Sequence, residues 1–282
     1  MLWGIPPGLL LIAGAFVVPL LPGAWRKTYM TLLPLAGLWA LAGAQPGTFY
    51  SFNFFAYELS PVRIDGLSLI FGYIFHIAAT LSVIFAWHNE DVVEQMAGLA
   101  YAGAGIGAVF AGDLITLFIY WEAMAITSVF MIWARRTDAA YNAGMRYLIV
   151  QVGSGVLLLS GAILIAHETG SVVFEKMTLG NLATWLILLA FGIKCAFPFL
   201  HNWLPDAYPA ATATGTVFLS AFTTKCAVYA LARGFPGTEI LIYVGAAMAA
   251  FPLFYALIEN DLRRVLSYSL NNQLGFMVVG VG

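Results

Sequence analysis

The chain has 282 residues, of which 61% are hydrophobic and 9% charged, with a formal net charge of -2. A water-soluble domain carries about 25% charged residues to cover its surface, so the composition excludes one. The near-neutral balance carries no message about nucleic acid, and no basic tract or run of like charge exists. Two distant cysteines in apolar runs, Cys195 and Cys226, offer no disulfide framework, metal-ligand spacing or iron–sulfur pattern and read as buried thiols.

The apolar residues fall in runs of spanning length, closed by Gly, Pro or small charged clusters. About ten spans are predicted, near 2–22, 29–44, 65–87, 95–111, 114–133, 145–166, 182–206 (interrupted), 211–232, 239–258 and 265–282. The predicted fold class is therefore all-α, a polytopic membrane helix bundle embedded in the lipid bilayer. The first run lacks a cationic leader, and Arg26 and Lys27 follow its apolar stretch Leu9–Leu21, as in a retained helix. The longest connector, 45–64, is aromatic (Phe49, Tyr50, Phe52, Phe54, Phe55, Tyr57) and reads as an interfacial segment. In span four, Gly103 and Gly107 form a GxxxG step, and Gly153 and Gly155 thin span six, which lets helices approach closely.

Helix alternation places Arg26, Lys27, Arg135, Arg136, Arg263 and Arg264 on one side, and Arg63, Lys176 and Arg233 on the other. By the bias of Lys and Arg towards the cytoplasm, the first side is cytoplasmic and the N-terminus lies outside a cell (inner) membrane.

Three ionisable residues, Glu122, Lys194 and Lys225, lie well inside apolar runs. There a charge costs about 2.5–3.5 kcal/mol on insertion scales, so it persists only where it pairs, faces water or carries function. Lysine suits a relay because it can lose its proton in a protein interior, whereas arginine stays charged. Glu122 close to Lys194 would hold that proton, and separating the two would free it, which makes an electrostatic switch without a cofactor. The backbone agrees. Pro198 has no N–H and its ring crowds the carbonyl of Lys194, while Gly192 precedes the lysine and Pro205 and Pro209 follow. A helix broken at membrane depth is tolerated where protein or water satisfies its loose backbone.

Lys225, in Thr223–Cys226, stands to accept a proton from the Lys194 side. His201 serves either as a bridge in the relay or in packing, and Arg146 either draws protons at a channel mouth or snorkels. His76 and His167 read as core or interfacial histidines, and Asp206 as a polar cap at the end of the interrupted span.

The segment Gly192–Pro209 (GIKCAFPFLHNWLPDAYP) resembles the span-seven signature of the antiporter-like subunits of respiratory complex I, of Mrp-type Na⁺/H⁺ antiporters and of membrane-bound hydrogenases. Asp113–Glu122, Leu219–Arg233 and Asn260–Ser269 agree with the same family, in family order. The resemblance implies a five-helix unit with a discontinuous seventh helix, followed by the start of an inverted repeat. Its parts are 1–94 (N-terminal membrane helices), 95–233 (the proton-translocating unit) and 234–282 (a second, incomplete repeat). It also implies Glu122 as the modulating carboxylate, Lys194 as the central carrier and Lys225 as the connector. Arg146 stands where relatives commonly have lysine. The inverted copy breaks off at Gly282, which reads as a fragment, with a split gene or a truncated paralogue as the other options.

No nicotinamide, flavin or iron–sulfur motif is present, so neither a cofactor nor redox catalysis is expected in this chain, although a quinone-reducing complex can contain it. The details of Tyr208–Arg233 and Glu259–Gly282 resemble the D-type Mrp subunit. The expected function is proton or cation/proton translocation, with protons, Na⁺ and other membrane subunits as partners. Two further classes stay open: a non-conducting assembly subunit, and a solute carrier with an anion site between Lys194 and Lys225.

Overall fold

A computed structural model of the chain describes residues 5–54 and 57–282. The start of the first expected span (2–4) and Phe55 of the aromatic segment lie outside the described residues.

The described chain begins with α1 (Pro7–Ala15), a 3₁₀ turn at Val18–Leu20, and α2 (Gly23–Ala42). Four three-residue strands follow: β1 (Gly47–Phe49), β2 (Phe52–Phe54), β3 (Tyr57–Leu59) and β4 (Val62–Ile64). Then come α3 (Gly66–Phe85), α4 (Val92–Phe110), α5 (Leu114–Trp133), α6 (Asp138–Thr169), α7 (Leu182–Lys194) and α8 (Trp203–Ala210). The chain closes with α9 (Ala213–Gly234), α10 (Ile240–Ile258) and α11 (Leu262–Val281).

Six of these segments are long and apolar enough to cross a membrane: Gly66–His88, Val92–Phe110, Leu114–Trp133, Asp138–Thr169, Ala213–Gly234 and Ile240–Ile258. The stretches Pro7–Leu20 and Leu182–Lys194 are apolar but shorter. Of the other expected spans, α2 carries Arg26 and Lys27, and α11 carries Arg263, Arg264, Asn271, Asn272 and Gln273, which lower their apolar content. The protein is a multi-pass membrane protein of mainly helical fold. The outcome differs from all-α at 45–64, where β1 pairs antiparallel with β4 and β2 with β3 to give a nested hairpin. Aromatic residues at every second position suit strands as well as an interface.

Short polar caps set the helix starts. Asp65 and Ser68 form a capping box on α3, and Asp113, Thr137, Asn181 and Thr212 accept from backbone N–H groups in the first turns of α5, α6, α7 and α9. Each satisfies a donor that lipid could not. The GxxxG step works as expected: a side chain on Gly103 would strike the Gly8 carbonyl and Ile12, and one on Gly8 would strike the Gly103–Gly107 backbone. So α1 lies directly on α4. Gly245 and Gly275 make the same kind of contact between α10 and α11.

Candidate functional site: a buried lysine at a helix break

Helix α7 ends at Lys194 because Pro198 cannot donate the next helical hydrogen bond. The chain crosses the gap in two left-handed residues, Ala196 (φ 62°) and Phe199 (φ 68°), and resumes as α8 at Trp203. Left-handed conformation costs a non-glycine residue roughly 1–2 kcal/mol, and such strain gathers at functional sites. Three contacts hold the gap. The Phe197 N–H donates to the Gly192 carbonyl at 2.9 Å, and the Trp203 indole donates back to the Ile193 carbonyl at 2.9 Å. Gly192 admits the Phe197 ring where a Cβ would collide with it.

Lys194 is wholly buried. Its Nζ donates to the Trp121 carbonyl at 2.8 Å and lies 4.4 Å from the centroid of the Trp121 ring. The Trp121 indole donates to Ser154 at 2.9 Å, and Ser154 donates to the Ala190 carbonyl at 2.8 Å. This ties α5, α6 and α7 together at the depth of the lysine.

Glu122 follows Trp121 on α5. It is half-buried and, among the described residues, forms no ion pair within 4.0 Å, while its enclosed Oε1 meets no hydrogen-bond donor. Gly155 of α6 makes the space for it, since a Cβ there would overlap the carboxylate. Glu122 and Lys194 are thus electrostatic neighbours that do not touch. Lys225, on α9, donates from Nζ to the Ser220 carbonyl at 3.0 Å. Cys195 follows Lys194 and Cys226 follows Lys225 in the chain, and α9 packs against α7. Both thiols are free and buried.

His201 lies in the gap, its ring 4.6 Å from that of Phe251 and its enclosed Nδ1 without a partner among the described residues. Arg146 forms a two-bond salt bridge with Asp206 of α8, at 2.8 and 2.9 Å. Asp206 therefore links α8 to α6, where the sequence suggested a helix-end cap. His76 is buried, with Nδ1 2.7 Å from the Gly72 carbonyl, and His167 lies near the end of α6.

The residues absent from the sequence-based site are uncharged. Tyr101, Tyr147, Tyr208 and Gln151 are buried between the helices, and each taken alone reads as packing or a helix polar spot.

The sequence matches the family described as NADH:quinone oxidoreductase/Mrp antiporter, TM over residues 111–282. The chain belongs to that family. Among relatives, it is 27% identical over 249 residues to hydrogenase-4 component B of Escherichia coli, covering 78% of this chain and 37% of that protein. It is 26% identical over 300 residues to NADH-quinone oxidoreductase subunit M of Pseudomonas aeruginosa (89% and 58%). It is 30% identical over 200 residues to the D-type component of the Na(+)/H(+) antiporter of Alkalihalophilus pseudofirmus (64% and 40%). The chain thus spans between about a third and three-fifths of the length of these curated relatives. Among solved structures, the Mrp complex from Dietzia sp. shares the fold with a TM-score of 0.86 at 23% identity, over 97% of this chain and 33% of that one. Respiratory complex I from Thermus thermophilus does so with a TM-score of 0.82 at 22% identity, over 96% and 63%. By family, this chain is an antiporter-like membrane subunit.

Proposed function

We propose that the chain translocates protons, exchanged for Na⁺, through a relay of Glu122, Lys194 and Lys225, as the D-type component of a multisubunit Na⁺/H⁺ antiporter. The observation that carries the reading is Lys194: a wholly buried amine at a broken helix, held by a carbonyl and a ring, with a carboxylate nearby but unbonded. A carbonyl and an aromatic face favour the ammonium without neutralising it, so the position of Glu122 decides whether the proton stays. Movement of Glu122 towards Lys194 loads the lysine. Movement away releases the proton towards Lys225, with His201 in the gap able to bridge through water and Arg146, paired to Asp206, at the channel mouth.

In this reading residues 95–233 form the five-helix translocating unit, 1–94 the preceding membrane helices, and 234–282 the first helices of a second, inverted unit. The spans number ten, with α7 and α8 counted as one. The faces bearing Arg135, Arg136 and Arg263 lie in the cytoplasm, the N-terminus lies outside, and the membrane is the cell membrane. The other subunits of the complex complete the path.

A second reading, a proton-pumping subunit of an NADH:quinone oxidoreductase or a related hydrogenase complex, is favoured by the longer match to subunit M. Everted vesicles containing the native complex separate the two when internal pH is followed after NaCl and, separately, after NADH. Sodium-triggered proton release that is lost in Lys194→Ala supports the antiporter; NADH-driven acidification lost in the same variant supports the pump. Normal ion movement in a fully assembled Lys194→Ala complex would leave an assembly subunit.

A further inference from the structure

Two neighbours fix the indole of Trp121. Its N–H donates to the Ser154 hydroxyl at 2.9 Å, and that hydroxyl donates in turn to the Ala190 carbonyl at 2.8 Å. Its ring packs against Phe191, with centroids 5.4 Å apart and planes tilted by 48°. Ala190 precedes Lys194 by about one helical turn on α7. The contacts therefore close a loop, from Lys194 to Trp121 on α5, to Ser154 on α6, and back to α7 one turn before the lysine. Trp121, Ser154, Phe191 and Lys194 are all 0% exposed.

Each member of the loop does something specific. A hydroxyl accepts from the indole and donates to a carbonyl at the same time, and Ser154 does both where bulk water does not reach. Pinning the N–H sets the plane of the indole, and that plane presents its face 4.4 Å from Lys194 Nζ while the carbonyl of the same residue lies 2.8 Å away. A lysine stem is long and flexible, so these two contacts are what place its amine. An aromatic face attracts an ammonium electrostatically and has no such hold on a neutral amine. The face therefore distinguishes the two protonation states of Lys194, and the backbone carbonyl accepts from either.

We propose that Trp121, its indole pinned by Ser154, is the seat of the protonated Lys194, and that Ser154 is a positioning residue acting through Trp121; this rests on the relay reading above. The seat moves no proton itself. It holds the charged amine against α5, at the residue before Glu122, and loosens when the charge leaves and the carbonyl alone remains. Without the Ser154 hydroxyl the indole is free to tilt, which carries off the face and leaves the carbonyl where it was. Ser154 therefore matters to the lysine only while residue 121 has an N–H to donate.

The test is a double-substitution cycle on proton flux, with the complete native complex in everted vesicles at matched complex levels. Ser154→Ala should lower flux about tenfold, the equivalent of about 1.4 kcal/mol of barrier, and Ser154→Thr, which keeps the hydroxyl, should recover most of it. Phenylalanine has a face but no N–H, so Ser154→Ala added to Trp121→Phe should lower flux little further. Trp121→Leu, which loses the face as well, should fall below Trp121→Phe. A merely structural Ser154 would act through its bond to Ala190 and cost the same whichever residue stands at 121. A full tenfold loss in the Trp121→Phe background, or wild-type flux in Ser154→Ala beside an inactive Lys194→Ala, would overturn the seat and leave the relay standing. Wild-type flux in Lys194→Ala would overturn both. If Ser154→Ala does not assemble, the Trp121 variants decide, and equal flux in Trp121→Phe and Trp121→Leu would overturn the seat.

Discussion

The ammonium of Lys194 rests against Trp121, 2.8 Å from its carbonyl and 4.4 Å from its ring centroid, while Glu122 on the adjoining residue leaves its own Oε1 unbonded. The backbone carbonyl and the π-face are fixed features that favour the ammonium. The carboxylate oxygen Oε1 carries no hydrogen bond among the described residues. Lys194→Arg should therefore keep the charge and lose the function. A guanidinium does not release its proton in a protein, and its larger head has to fit a site with no exposure. Proton flux in assembled complexes should fall by about tenfold or more. Flux near wild type in Lys194→Arg would mean that the residue acts as a fixed charge.

Two glycines separated by one residue on α6 should behave differently. A Cβ on Gly155 would overlap the Glu122 carboxylate, whereas one on Gly153 would meet nothing within 4 Å. Gly155→Ala should cost roughly 1–3 kcal/mol of stability, as overpacking does, and should disturb flux by displacing Glu122. Gly153→Ala should be neutral or slightly stabilising, because alanine is the better helix former. Thermal unfolding of the purified protein compares them. The cost of Gly155→Ala should also shrink in a Glu122→Ala background, where the clash has been removed.

Much of this site is legible in the sequence because lipid makes polarity expensive. Glu122, Lys194 and Lys225 stand out as charges inside apolar runs, and Pro198 announces the break after Lys194. The partner of Lys194 does not stand out, because Trp121 accepts through a main-chain carbonyl that every residue has. Arg146 and Asp206 are 60 residues apart, and only the packing of α6 on α8 brings them together. The strands within 45–64 follow an alternation that an aromatic interfacial segment shares.

At the opposite end of the bundle, Arg233 of α9 binds Asp65 at the start of α3 through two hydrogen bonds of 2.8 Å, and also donates to Tyr229 at 2.6 Å. Arg233 is nearly buried, but the Asp65 side chain is 38% exposed. Solvent screening reduces the loss below the 3–5 kcal/mol of a wholly buried pair, and Asp65→Ala should cost about 1–3 kcal/mol. Asp65→Asn keeps an oxygen for the Ser68 N–H that caps α3 and should cost less. Equal losses in the two variants would assign the stability to the ion pair alone.

Glu90, in the loop before α4, has its carboxyl held below the ordinary value by the hydrogen bond and charge of Lys27, with a smaller effect from Arg26. A depressed folded-state value means that the link is present above the unfolded-state value and is lost as pH falls through the folded one. The difference in melting temperature between wild type and Glu90→Gln should therefore be small at neutral pH, because the group is exposed. It should vanish in acid. A difference that grows on acidification would contradict the assignment.

The arginine-bearing end of α8 is held from two directions. Arg263 of α11 donates from one nitrogen towards the carbonyls of Tyr208, Ala211 and Thr212, at 3.3, 2.9 and 3.2 Å, and to the Thr216 hydroxyl at 2.6 Å. Arg135, just after α5, donates to the Pro209 carbonyl at 2.7 Å. Both cations meet the negative end of the helix dipole, and they are close enough to repel each other. Loss of either one relieves that repulsion, so each single substitution is partly compensated. Arg135→Ala and Arg263→Ala should each cost about 1–2 kcal/mol in thermal unfolding. The double variant should cost more than their sum, by the repulsion that each single loss removes. Strict additivity would mean that the two arginines hold α8 independently, and that neither senses the charge of the other.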